Sequence, residues 1–199
     1  MFTPFDSHFF KIETIGLAKK LLGHILVHER QGVILAGKIV ETEAYLGPED
    51  EAAHSYKNLK TKRTAVMFED PGRTYTYQMH THTLFNVVSG PVGTPHAILI
   101  RAIEPIQGLS QMQANRGEHI DKINWTNGPG KLTKALGITM DDYGHFLTEK
   151  PLYIAKGIQT PANKVQTSSR IGIANRGKAT DYPWRFYERG NRYVSKFRR

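Results

Sequence analysis

Cysteine is absent from this 199-residue chain. That excludes disulfides, thiolate metal sites and the usual iron–sulfur clusters. No stretch approaches the roughly 18 consecutive apolar residues of a membrane-spanning helix. The first residues, Met1-Phe2-Thr3-Pro4-Phe5-Asp6, lack the basic and then apolar pattern of a secretory signal. A cytoplasmic protein with no membrane partner is therefore expected. Repeats, low-complexity tracts and linkers are also missing, so residues 1–199 read as a single domain. Negative charge is in short supply, with 18 Asp+Glu against 27 Lys+Arg, a net charge of +9 and a pI near 9.7.

The content that is present, 39% hydrophobic and 10% aromatic, suits a packed core. A basic excess of this size favours a phosphate backbone as partner, through counterion release. The cations cluster. Lys57, Lys60, Lys62 and Arg63 lie near Tyr56 and Phe68; Arg185, Arg189, Arg192, Lys196, Arg198 and Arg199 lie among Trp184, Phe186, Tyr187, Tyr193 and Phe197. Aromatics interleaved with cations suit a nucleic-acid face.

The spacing predicts a short amphipathic helix over 14–22, ended by Gly23. Strands follow at 25–28 and 33–45 around Gln31-Gly32, then at 75–79, 84–89 and 97–102. A helix is predicted over 105–115, opened by Pro105, and another over 131–136 after Gly128-Pro129-Gly130. Short strands at 152–155, 171–174 and 193–196 complete the reading, with 149–169 otherwise a surface loop. Strands do not alternate regularly with helices. The fold class is therefore α+β: a compact domain around a mostly antiparallel curved β-sheet, with a protruding β-hairpin and several short helices.

In Ile39-Val40-Glu41-Thr42-Glu43-Ala44-Tyr45-Leu46, strand alternation puts Glu41, Glu43 and Tyr45 on one face. Val40, Thr42, Ala44 and Leu46 take the other, which should be buried. Two such carboxylates sit about 7 Å apart. Like charges that close disfavour each other unless a cation intervenes, a cost more often met at a working site. Spacing alone still favours an exposed strand face with two solvated glutamates.

The longer block Glu41-Thr42-Glu43-Ala44-Tyr45-Leu46-Gly47-Pro48-Glu49-Asp50-Glu51-Ala52-Ala53-His54-Ser55 resembles the signature of the alkyladenine (3-methyladenine) DNA glycosylase family. Further similar blocks follow in order, among them 17–23, Met67-Phe68 with Pro71-Gly72, 99–105, 127–132, Arg170-Ile171-Gly172-Ile173 and 184–187. The resemblance implies a repair enzyme that flips damaged purines out of double-stranded DNA and cuts the N-glycosidic bond. It implies a monomer that uses no metal or cofactor and leaves an abasic site without strand cleavage. It makes Glu43 the general base for water, with Arg101 holding that water and a phosphate. Tyr45, His54 and Tyr77 become base-pocket walls, Tyr75 their support, and Asn86 a pocket amide that discriminates against the guanine 2-amino group.

Relatives carry a Tyr-Gly-Met-type hairpin tip whose tyrosine wedges into the duplex. Here Tyr77-Gln78-Met79-His80-Thr81-His82-Thr83 is one residue shorter and has neither that tyrosine nor that glycine. Met79 or His80 must then intercalate. A rival reading groups His80 and His82 with His54 or His96 as a metal site. Gly130 and Lys131, opening the predicted helix, suit a DNA phosphate, as does Arg63. Two other functions remain open on sequence: a non-catalytic damaged-DNA-binding module of the same fold, and a glycosidase on a non-nucleic sugar using Glu41 and Glu43.

Overall fold

The computed structural model describes residues 2–195. Lys196, Phe197, Arg198 and Arg199, assigned above to the second basic cluster, lie outside them. The fold is α+β, with all strand pairs among the described residues antiparallel and joined in one curved sheet. Its strands are β1 (Ile25–Arg30), β2 (Val33–Tyr45), β3 (Thr74–Met79), β4 (His82–Ser89), β5 (His96–Gln107), β6 (Leu152–Ala155), β7 (Val165–Ser168) and β8 (Arg185–Glu188). They run in the order β3-β4-β5-β2-β1-β6, and β8 pairs with both β2 and β7.

Strand β2 is the axis of the fold. Gln31 (φ +50°) and Gly32 (φ +78°) close its hairpin with β1, the two positive φ values of a turn whose twist matches the strands. Along one edge β2 pairs with β5; along the other, β1 takes Val33–Lys38 and β8 takes Glu41–Glu43. The register with β5 shifts on both sides of Glu41. This bulge breaks the expected alternation. Ile39 and Ala44 join the main core, whereas Val40 packs with Ala102 and Tyr193 in a separate cluster. Both faces of β2 are covered, so the glutamates are not on a solvated face.

Helix α1 (Thr14–Lys20) starts where the Glu13 carboxylate accepts from the Ile15 and Gly16 amides, and it buries Leu17 and Ala18 on the core. Thr42 on β2 donates to the Ala18 carbonyl at 2.9 Å, tying helix to sheet. The helix ends at Lys20, two residues before the expected end, and Gly23 (φ +91°) then turns the chain where a Cβ would collide with the Ile158 carbonyl oxygen, so only glycine fits. The predicted 105–115 helix starts later, as α2 (Leu109–Arg116). Pro105 instead belongs to β5, which pairs with β4 only over His96–Leu99. Beyond that this edge of β5 pairs with no strand, only Ile103 bonding Thr126 there, so the missing N–H of Pro105 breaks no ladder. Helix α3 (Pro129–Leu136) ends at Gly137 as expected.

Residues 171–174 are a turn, because Gly172 (φ +77°) and Asn175 (φ +55°) defeat the alternation of Ile171 and Ile173. Of the strand expected at 193–196, the described residues 193–195 form no strand, and the basic strand that forms is β8. The chain turns at Gly190 (φ +75°), and Asn191 caps the Tyr193 amide. Strand β7 lies inside the stretch expected to be a loop. No helix among the described residues is long and apolar enough to cross a membrane.

Candidate active site

Glu43 has no exposed surface, and neither have Glu41 and Asp50. Three buried carboxylates of this kind need partners, because an uncompensated interior charge costs several kcal/mol. Three nearly buried arginines supply them. Arg101 on β5 reaches Glu43 (Nη1–Oε2 3.1 Å) and Glu41 (Nε–Oε1 3.3 Å). Arg185 on β8 reaches Glu41 at 2.6 Å, and Arg170 grips Asp50 with both terminal nitrogens at 2.5 and 2.8 Å. Burial alone pulls the Arg101 pKa down, but the Glu43 and Glu41 carboxylates outweigh it and hold it above the usual arginine value.

Glu43 accepts three hydrogen bonds. The Tyr45 hydroxyl donates to Oε2 at 2.9 Å beside Arg101, and the Ile171 amide donates to Oε1 at 2.6 Å. A carboxylate offers about four lone-pair positions, so one on Oε1 is unoccupied among the described residues. Burial, then the neighbouring Glu43 charge, pushes the Tyr45 phenol well above its ordinary pKa, so it stays a donor.

Above this ionic layer opens a pocket of about 620 Å³. Tyr45, His54, Tyr77, Asn86, Arg101 and Ile171 line it. Glu43 contributes no surface; it lies beneath the floor formed by its three donors. Tyr75 is buried under Tyr77, their rings 5.4 Å apart and 29° from parallel, and His54 meets Tyr77 edge-on at 4.6 Å. Burial, with the Arg63 and Arg176 charges, lowers the His54 pKa to about 4. The ring is therefore neutral at physiological pH. Its Nδ1 lies 2.7 Å from the Tyr75 hydroxyl, whose pKa burial has raised, so the phenol donates and the imidazole proton falls on Nε2. Asn86 is anchored by its own amide, which donates to the Tyr75 carbonyl at 2.9 Å.

The hairpin stands at the pocket rim. Met79 lines the mouth and is 45% exposed; His80, at the turn (φ +52°), is exposed and does not line it. Gly130 packs so tightly under His82 that a Cβ would come within 2.8 Å of that side chain, and Thr133 donates to the Thr83 carbonyl. Helix α3 thus braces the hairpin, with Pro129 at the pocket and Lys131 Nζ held by Asn127 at 2.8 Å. Arg63 is exposed in the run 57–63, with Lys57 over the Tyr56 ring and Lys60 over Phe68.

Several expectations change. Arg185, placed with the DNA-facing cluster, is buried on Glu41, and Phe186 belongs to the core. The histidines of the rival metal reading are dispersed: His54 bonds Tyr75, and His96 bonds Thr14 at 2.9 Å. No group of three or more potential ligands is placed to hold a metal among the described residues. Sequence reasoning gave no role to Ile171, whose amide bonds Glu43, to Arg170, which pairs with Asp50, or to Glu51 and Arg176, which line the pocket. The block Arg170-Ile171-Gly172-Ile173 carried the signal but was read as a strand.

Residues 8–192 match the family described as methylpurine-DNA glycosylase. Proteins named "Putative 3-methyladenine DNA glycosylase" from Bacillus licheniformis and Bacillus subtilis are 55% and 53% identical over 193 residues, covering 97% of this chain and 97% of theirs. One of the same name from Listeria monocytogenes serotype 4a is 48% identical over 201 residues, covering all of this chain and 96% of its own. Identity at this level over the whole length leaves one reading of the ancestry: the chain belongs to the methylpurine-DNA glycosylase family.

Proposed function

We propose that this protein is a DNA repair glycosylase that flips a damaged purine into the aromatic pocket and hydrolyses its N-glycosidic bond with water activated by Glu43, leaving an abasic site. The observation that carries this is the buried Glu43 carboxylate with one acceptor position unused, beneath a pocket walled by Tyr45, His54 and Tyr77 and roomy enough for a flipped nucleotide. Departure of the base leaves oxocarbenium character on the sugar. Water must then attack C1′ from the opposite face, giving its proton to Glu43 while the bond electrons leave with the base. Arg101 and Tyr45 stabilise the charge on Glu43 until the proton arrives. One water must enter between Arg101 and Ile171 when the nucleotide seats.

Tyr45, His54 and Tyr77 clamp the flipped base, and the Nε2–H of His54 offers it or its phosphate a hydrogen bond. Asn86 presents its amide to the base edge. Purines carrying a formal positive charge leave without protonation and are the preferred substrates. Among the described residues no lysine lines the pocket, which supports hydrolysis over an amine-linked strand cleavage. Arg63, Lys131 and the α3 start at Gly130 hold DNA phosphates.

Release of 3-methyladenine, 7-methylguanine and hypoxanthine from duplex DNA tests this reading. Release of the two methylated bases supports it; tight lesion binding with no release of any base would make the protein a binding module instead. Met79 is the better wedge, since it is apolar, exposed and at the mouth. Met79→Ala is expected to weaken lesion-duplex binding about tenfold, roughly the loss of one desolvated apolar anchor, and His80→Ala far less. Titration of fluorescent lesion duplex reads both; equal, unchanged affinities would remove the hairpin from the interface.

A further inference from the structure

Glu41 takes no part in the proposed reaction, yet it is fully buried and accepts four hydrogen bonds. Its Oε1 accepts from Arg101 Nε (3.3 Å), Arg185 Nε (2.6 Å) and Ser195 Oγ (2.7 Å), and its Oε2 from the Ser195 amide (2.7 Å). Stability alone gives no reason for it. Replacing a buried ionic network by apolar groups of similar size is often neutral or stabilising. What the network does determine is the pose of Arg101.

A guanidinium beside a single carboxylate prefers two parallel bonds, fork to fork. Arg101 does otherwise. Its Nε is taken by Glu41 and only Nη1 meets Glu43, while Nη2 makes no protein hydrogen bond among the described residues and Arg101 lines the pocket. Released from Glu41, the guanidinium is free to swing onto Glu43 with both ends, occupying the unused Oε1 position and tying up a second nitrogen. Glu41 is in turn fixed from outside the site. Arg185 also donates to Ser168 Oγ (3.1 Å) on β7 and to the Ser195 carbonyl (3.3 Å).

We propose that Glu41 is a positioning residue: it splits the Arg101 fork, so that Arg101 meets Glu43 end-on and keeps one terminal nitrogen for an oxygen of the bound nucleotide or its attacking water. This rests on Glu43 being the base. Because the effect is on geometry at the reacting centre, it should appear in the rate and not in the affinity.

Glu41→Gln keeps the shape but not the carboxylate. Single-turnover base release should fall on the order of 10- to 100-fold, as misplacement of reacting groups does, while the Kd for lesion duplex stays within about twofold. In an Arg101→Gln background the same Glu41 change should cost less than about twofold, since its route is gone. Ser195→Ala, which removes one donor to Glu41 and leaves Arg185, should give a smaller loss of the same kind. It serves alone if Glu41→Gln does not fold. Wild-type release by folded Glu41→Gln, an equal loss with Arg101 replaced, or a loss confined to Kd would each overturn the proposal. Glu43→Gln run alongside separates the two ideas: normal release by it overturns the Glu43 assignment and this proposal with it, whereas lost release by Glu43→Gln with wild-type release by Glu41→Gln overturns the positioning role alone.

Discussion

Glu43→Gln is expected to slow single-turnover base release by about 10²- to 10⁴-fold, the range in which a positioned general base contributes. Affinity for lesion duplex should hold, because Glu43 has no exposed surface with which to touch DNA. The substitution is nearly isosteric but not silent in the fold. All three partners of Glu43, the Tyr45 hydroxyl, Arg101 Nη1 and the Ile171 amide, are donors. A glutamine offers one acceptor oxygen where the carboxylate offered two. If the amide nitrogen faces Ile171, two donors confront each other. If it faces Tyr45, the hydroxyl rotates to accept but Arg101 loses its charged partner. Either arrangement leaves a buried donor unpaired, a cost of about 1–3 kcal/mol. Assays well below the melting transition separate that cost from the chemistry. Release at the wild-type rate by the folded variant would remove Glu43 from the mechanism.

The sequence made this residue visible only in part. Strand β2 was readable end to end, because Val33, Ile34, Ile39, Val40 and Thr42 favour extended backbone and Gln31-Gly32 and Gly47 bound the run. The burial of its glutamates was not. Period-2 alternation says which residues share a face, but not that β8 and the 170–176 segment return to cover it. The bulge at Val40–Glu41 changes the alternation with no mark in composition. Arg185 looked like a DNA-facing cation for the same reason: a sequence shows charge, and only the fold shows its counter-charge. The extended motif reached further, bringing Tyr45, His54, Tyr77, Asn86 and Arg101 to one pocket from separate segments. It missed Ile171, whose contribution is an amide that any residue except proline supplies.

Arg170 carries the largest expected effect on stability. Its guanidinium lies 4.5 Å from the Tyr45 ring and 5.1 Å from Trp184, donates to the Ala44 and Ala179 carbonyls at 3.0 Å, and neutralises Asp50. Contrast the Lys150–Glu29 pair, whose lysine is 71% exposed and worth at most about 1 kcal/mol. Arg170→Leu should leave Asp50 with only the Leu46 and Ala52 amides as donors, at 3.3 and 3.0 Å. Breaking a buried pair from one side costs about 3–5 kcal/mol. For a chain of this size that is a fall of roughly 6–20 °C in Tm by calorimetry. Two sources of the loss are separable. If the stranded charge dominates, Arg170→Leu with Asp50→Asn should melt above Arg170→Leu alone, since the second change removes the charge. If the double variant melts no higher, the loss comes from packing between Tyr45 and Trp184, and the ion-pair account is wrong. Either way base release should suffer too. The residue after Arg170 is Ile171, whose amide holds Glu43, so loosening this anchor loosens the Glu43 carboxylate with it.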